Sequence, residues 1–258
     1  MWIRLRQVAL VAAELEPVVE DLRAVLGLEV AFRDPGVARF GLENAVLPIG
    51  TQFLEVVAPV EAGTAAGRYL DRRHGDGGYM VITHTDDHPA RQARVDALGV
   101  RKVLDYEHDG YRCMQLHPAD TGGSFLEIDF QPGGDDPQGP WQPAGPAWQG
   151  AARTNVVDGI EGVEIQAADP DQVAQRWSDV TEISLQRNGA GAAPVTLPLD
   201  NATIAFVPLG DDRGDGLSGL RLTAVDERRA RAEAKQRGRL DDDGAVVICG
   251  TRFQLVPA

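Results

Sequence analysis

Read as a pattern of apolar and polar positions, the chain repeats one motif four times: an apolar strand-like run, a polar or acidic step, then a helical period. The copies are "QVALVAAELEPVVEDLRAVLG", "YMVITHTDDHPARQARVDALG", "VEIQAADPDQVAQRWSDV" and "LRLTAVDERRARAEAKQRG". Alternating or continuous apolar residues predict a strand at the head of each. Apolar residues three and four apart, such as Val18, Leu22, Val25 and Leu26, predict an amphipathic helix behind it. Asp87, Asp169 and Asp226 stand where a cap or first-turn acid is needed, and Pro89 and Pro170 suit a first helical turn. Gly27, Gly99 and Gly238 end three of the helices, where a left-handed cap is expected.

Further strand-like runs follow each helix. They read "LEVAFR", "ARFGLENAVLPI" and "TQFLEVVAP" after the first, and "RKVLDY", "YRCMQLH" and "SFLEIDF" after the second. The unit is therefore βαβββ, and the fold class is α+β with four such modules. Between the second and third copies, "QPGGDDPQGPWQPAGPAWQGAARTN" is dense in Gly and Pro and has no period, so it reads as a linker. This divides the chain into residues 1–132, a linker at 133–157 and a second half at 158–258. Trp141 and Trp148 in the linker are expected to anchor it on a domain surface, with an aromatic platform for a ligand as the other reading.

Composition narrows the partners. The chain has 258 residues, enough to bury a core without disulfides, and only two cysteines, Cys113 and Cys249, which do not make a disulfide framework. The start "MWIRLRQVAL" runs at once into "VAAELEP", without the core of a signal peptide, and no apolar run is long enough to span a bilayer. A cytoplasmic location is expected. The formal net charge of −14 disfavours nucleic acid and anionic membrane surfaces. A small molecule, or a second copy in a homodimer, remains as the partner.

Two of the strands share the word "FLE". Glu55 in "TQFLEVVAP" and Glu127 in "GSFLEIDF" each put a carboxylate into an apolar run. A lone charge on a buried strand face is expensive unless something pairs with it. The third and fourth copies write "IAFVP" and "RFQLV" instead, without the acid.

A paired βαβββ unit with glutamates on its fourth and eighth strands resembles the vicinal oxygen chelate superfamily, which includes glyoxalase I, methylmalonyl-CoA epimerase, extradiol dioxygenases and bleomycin-resistance proteins. The resemblance covers nearly the whole chain as two tandem domains and is strongest in residues 5–130, with "HPADTGG" like the turn before the last strand. It implies a funnel with four inward ligands for a divalent metal, falling here on Gln7, Glu55, Met80 and Glu127. Gln7, Glu55 and Glu127 match the pattern of His or Gln, Glu or Gln, and Glu. Met80 stands where the family commonly has His. Three oxygen ligands suit Mn, Fe, Co, Ni or Zn, held weakly or absent, because a thioether is a poor substitute for imidazole. His84 lies on the same strand face as Met80 but about 13 Å along it, so a histidine at the rim is the expectation. In the second half the corresponding positions are Gly162, Ala205, Leu220 and Gln254, so a metal there is not expected.

Other groups extend the picture. Arg68, Arg72, Arg73 and His74 cluster between the first two modules, as a solvated helical segment or as a cationic lip for a substrate carboxylate or phosphate. His117, in a turn, is either structural or a substrate contact near the funnel mouth. The expected site is thus Glu55 and Glu127 as catalytic carboxylates, His117, Arg72 and Met80 at the substrate, and Gln7, Glu55 and Glu127 at the metal. The function implied is a glyoxalase-like enzyme performing isomerase, epimerase, lyase or ring-opening chemistry at a carbonyl or vicinal oxygens. In a metal-free variant the two carboxylates divide acid and base roles. The alternative is a metal-free protein that sequesters a small molecule, of the bleomycin-resistance type.

Overall fold

A computed structural model describes residues 1–187 and 193–257. The first module runs β1 (Ile3–Val11), α1 (Leu15–Leu26), β2 (Leu42–Ile49) and β3 (Gln52–Pro59). A helix α2 (Ala65–Arg73) leads to the second module: β4 (Gly77–Thr85), α3 (His88–Ala97), β5 (Lys102–His108), β6 (Tyr111–Leu116), α4 (Pro118–Thr121) and β7 (Phe125–Phe130). The third has β8 (Val157–Ala167), α5 (Pro170–Thr181), β9 (Gln186–Arg187), β10 (Val195–Pro198) and β11 (Thr203–Pro208). The fourth has β12 (Gly216–Ala224), α6 (Glu227–Gln236), β13 (Val246–Ile248) and β14 (Thr251–Pro257). Asp87, Asp169 and Asp226 each accept a backbone N–H as the N-caps of α3, α5 and α6. None of these helices is long and apolar enough to cross a membrane.

The strands form two seven-stranded sheets, ordered β2-β3-β1-β4-β7-β6-β5 and β13-β14-β12-β8-β11-β10-β9. In each, the first strands of two modules pair antiparallel at the centre, and each first strand pairs parallel with the last strand of its own module. One expected strand is missing. "LEVAFR" touches β2 through a single bridge, Phe32 to Val46. The chain then turns into a short 3₁₀ helix at Pro35–Phe40, which carries it off the sheet edge. The fourth module likewise keeps only a bridge, Leu240 to Val246, at that position.

The sheets share one core. Leu5, Leu54, Val81 and Leu126 of the first sheet and Ile160, Ile165, Leu217 and Leu222 of the second belong to a single apolar cluster. Gly78 of β4 lies so close to β12 that a Cβ there would meet Leu217 at 2.4 Å. Gln52 exchanges both amide hydrogen bonds with the Ile160 backbone. Because side chains alternate along a strand, the other face of each sheet points away from this core.

The two far faces differ. On the second sheet it is solvated, with ion pairs from Arg221 to Glu161 and from Arg252 to Asp241 and Asp243. Strand pairing also refines the equivalences there. Glu164 faces Gly219 as Ala9 faces Met80. Gly219, not Leu220, therefore matches Met80, and Leu220 lies in the shared core. On the first sheet much of the far face is covered, and Gln7, Asn44, Glu55, His84, Glu127 and Asp129 are buried on it.

Candidate functional site

The segment read as a linker is packed into the first sheet. Trp141 and Trp148 are 1% exposed, among the largest fully buried side chains. Trp141 stacks on Phe53 with rings 6.4 Å apart and nearly parallel at 12°, and Trp148 meets Phe53 edge-on at 5.0 Å. These indoles anchor by burial and are no open platform. The backbone of the same segment accepts hydrogen bonds from two buried guanidiniums, Arg4 at Gly134 and Arg6 at Pro137. A register shift between Leu5 and Gln7 lets the consecutive residues Arg6 and Gln7 both serve the far face.

His84 also sits under this cover. It is 1% exposed, 4.9 Å from the Trp2 ring and 5.4 Å from Trp141. The expected rim histidine is therefore a buried one. Burial first, then the charges of Arg4 and Arg6, push its pKa down to about 3, so the ring is neutral near pH 7.

The cover fills one end of the far face and leaves the other as a cavity of about 790 Å³. Glu55, Met80 and Gln115 reach it from the sheet, Arg68, Arg72 and Arg73 from α2, and His117 from the cap of α4. Four expected site residues, Glu55, Met80, His117 and Arg72, are thus brought together. Gln7 and Glu127 are not: Gln7 lies directly behind Glu55, and Glu127 is buried on β7.

Glu55 is 9% exposed, opening only toward the cavity. Asn44 Nδ2 donates to its Oε1 at 2.6 Å, and Gln7 Nε2 donates to its Oε2 at 2.8 Å. Both amides are oriented from behind. Asn44 Oδ1 accepts from Asp34 N at 2.7 Å, and Gln7 Oε1 accepts from Trp141 Nε1 at 2.7 Å. An indole only donates, so the Gln7 oxygen must face Trp141 and its nitrogen must face Glu55. Burial raises the Glu55 pKa, the charge of Glu127 adds to it, and the bonds from Asn44 and Gln7 oppose it; the result is about 7.

This network decides whether the family's metal set fits. The ligating atom of Gln7 is engaged by Trp141, both Glu55 oxygens hold amide donors, and Met80 offers a thioether. The residues do not fit a hard or borderline ion at Gln7, Glu55, Met80 and Glu127. Nor does Glu55 share a proton with Glu127, for both its oxygens face the amides of Asn44 and Gln7. Glu127 lies beside Asp129 and Cys113, the one group of potential metal ligands among the described residues. Burial raises the pKa of all three, and Tyr111 O–H donates to Asp129 Oδ2 at 2.5 Å. Asp129 had a signal in the sequence: two residues from Glu127 on one strand means the same face. Asn44 had none, and nothing in the sequence tied Trp141 to Gln7.

The cavity mouth is basic. Arg72 is exposed over the Tyr69 ring, 5.3 Å from its centroid. Arg73 is buried, and its Nη1 donates to the carbonyls of Gly214 and Asp215 at 2.8 and 2.5 Å, joining α2 to the loop before β12. Its Nε and Nη2 have no partner. His117 Nδ1 accepts from Ala119 N at 3.1 Å, so a neutral ring carries its proton on Nε2.

The glyoxalase-like domain family matches residues 8–181. Methylmalonyl-CoA epimerase of Streptomyces coelicolor is 25% identical over 51% of this chain and 99% of that chain, with a TM-score of 0.46. The Mycobacterium tuberculosis epimerase is 24% identical over 49% of this chain and 86% of that chain, at 0.43. A hypothetical protein from Staphylococcus aureus aligns over 100% of both chains at 12% identity and a TM-score of 0.66, a likeness of fold along the full length. No curated protein matches the chain.

Proposed function

The chain belongs to the glyoxalase-like domain family of the vicinal oxygen chelate superfamily, and on that premise we propose that it is a small-molecule enzyme in which Glu55 moves a proton at a carbon beside a carbonyl. Isomerisation, epimerisation and lyase reactions share that step. The observation that carries the reading is Glu55 itself: a buried carboxylate lining a cavity, fixed by two amides, with a proton affinity near neutrality. A base works best when its pKa lies near the working pH.

The remaining residues supply position and charge. Asn44 and Gln7 hold the Glu55 oxygens in place, so the base is preorganised when substrate arrives. Met80 is a polarisable apolar wall beside it. Arg72, exposed at the cavity mouth, suits a carboxylate or phosphate at the other end of the substrate, while the buried Arg73 adds positive charge behind it. The His117 Nε2–H is a donor for a substrate oxygen. No step passes through a metal at the Gln7, Glu55 and Met80 positions, because the Gln7 and Glu55 oxygens are engaged within the protein and Met80 offers only a thioether.

The test is exchange of carbon-bound hydrogen in D₂O, followed by proton NMR over a panel of small carboxylates carrying a ketone, ester or thioester. A substrate is expected to exchange with a rate that rises with pH through about 7, where Glu55 ionises, and then levels. Glu55→Gln is expected to lower the rate about 10²- to 10⁴-fold. Ligand binding without exchange, unchanged in Glu55→Gln, would replace this reading with that of a sequestering protein.

A further inference from the structure

Cys113, Glu127 and Asp129 occupy adjoining positions on β6 and β7. Cys113 and Asp129 are directly opposite in the antiparallel register, and Glu127 lies two residues from Asp129 on the same face. One ligating atom from each lies within 4.8 Å of the others. Bond lengths of about 2.0–2.3 Å put the ligand atoms of a tetrahedral ion roughly 3.3–3.8 Å apart, which modest side-chain rotation reaches from here.

The three residues are nearly inaccessible, at 2%, 4% and 0% exposed. Glu127 Oε2 and Asp129 Oδ1 receive no N–H or O–H donor from outside the group, and within it only the carboxyls and the thiol lie in reach of one another. Buried carboxylate oxygens left unpaired are rare, and a bound cation is one of their ordinary explanations. Asp129 is also oriented from outside the group, since Tyr111 O–H holds Oδ2 and leaves Oδ1 turned elsewhere. Ligating carboxylates are commonly hydrogen-bonded in this way through the oxygen that does not face the ion. The neighbouring set at Gln7 and Glu55 shows the opposite state, with its donors and acceptors satisfied.

We propose that Cys113, Glu127 and Asp129 bind a thiophilic divalent ion of the zinc class, at a site that shares only Glu127 with the family's ligand positions. One thiolate and two carboxylates suit such an ion better than magnesium or calcium, which take oxygen alone. Binding displaces the thiol proton, and any proton on the carboxyls, to solvent. The way in is past Gln115, which lines the cavity and pairs across the strands with Glu127. A water from the cavity completes the coordination. The site does not depend on the role given to Glu55.

Cobalt tests it, as a spectroscopic probe on the full chain. The wild-type protein, reduced and stripped with chelator, is expected to take up about one Co²⁺ per chain with a near-ultraviolet thiolate-to-metal band, and to exchange it for Zn²⁺. Cys113→Ala should lose the band, and Asp129→Asn should weaken retention at least about tenfold. Glu55→Gln should keep both. Wild-type protein that retains neither ion would overturn the site and leave a pair of carboxyls sharing protons. So would Co²⁺ uptake without a thiolate band, or a band that survives in Cys113→Ala. Because the wild-type result alone decides retention, a variant that fails to fold does not shield the proposal.

Discussion

Glu55 carries a linkage between protonation and stability whose sign can be worked out. Its folded pKa of about 7 lies above the ordinary 4.5. The folded state therefore holds the proton more tightly than the unfolded one, and the penalty of burying this group grows as pH rises from about 4.5 to about 7. Its full size is roughly 3 kcal/mol. Glu55→Gln cannot ionise. Its unfolding free energy relative to wild type is expected to shift in the variant's favour across that interval, whatever the offset at low pH from amide meeting amide donor. Denaturant titrations at pH 4.5 and 8 measure this, and equal differences at the two pH values would refute it. Repetition made Glu55 and Glu127 legible, since a carboxylate appearing twice at one strand position and missing from two other copies marks a place. The partners were harder to read. Asn44 lies in a different strand, and nothing in "GLENAVLPI" says which of its polar residues will face a carboxylate. The second half shows the limit of register. A shift between Leu217 and Gly219 turns Leu220 inward, and no sequence period announces it.

At the scale of elements, the four openings and their helices were readable because period and capping agree. The cover between β7 and β8 was not. It has no apolar period, and its order comes from two indoles whose pockets are made by distant strands. Trp141 is expected to be its anchor. Trp141→Phe keeps a ring against Phe53 but leaves the buried Gln7 oxygen unpaired, at a cost of about 1–3 kcal/mol. Trp141→Ala should cost about 3–5 kcal/mol and open the segment. Limited proteolysis would then cut within residues 131–152, where the wild-type protein resists. Wild-type resistance in both variants would mean that Trp148 and the arginine contacts suffice. The arginine-rich stretch also changed character when folded. It was open between a solvated helix and a cationic lip. The structure makes it a wall of the cavity, with Arg73 buried and Arg72 exposed.

For the whole molecule, the repeat predicts two similar sheets but says nothing of how they meet. Their apolar faces form one core, so neither sheet has a complete interior alone. Residues 1–152 produced by themselves are expected to aggregate or to bind a hydrophobic dye, because the face carrying Leu5, Leu54 and Val81 would be open to water. A soluble fragment with a cooperative melt would contradict this. The shared core also leaves neighbouring residues of the second sheet under opposite constraints. Ile160 must fit its neighbours across the core, while Glu161, next in line, meets only water and Arg221. Along these strands every other letter is free to drift. Such a sheet can keep its shape after its wording has changed beyond recognition, and the family match, which ends at residue 181, stops at the end of α5 while the fold continues.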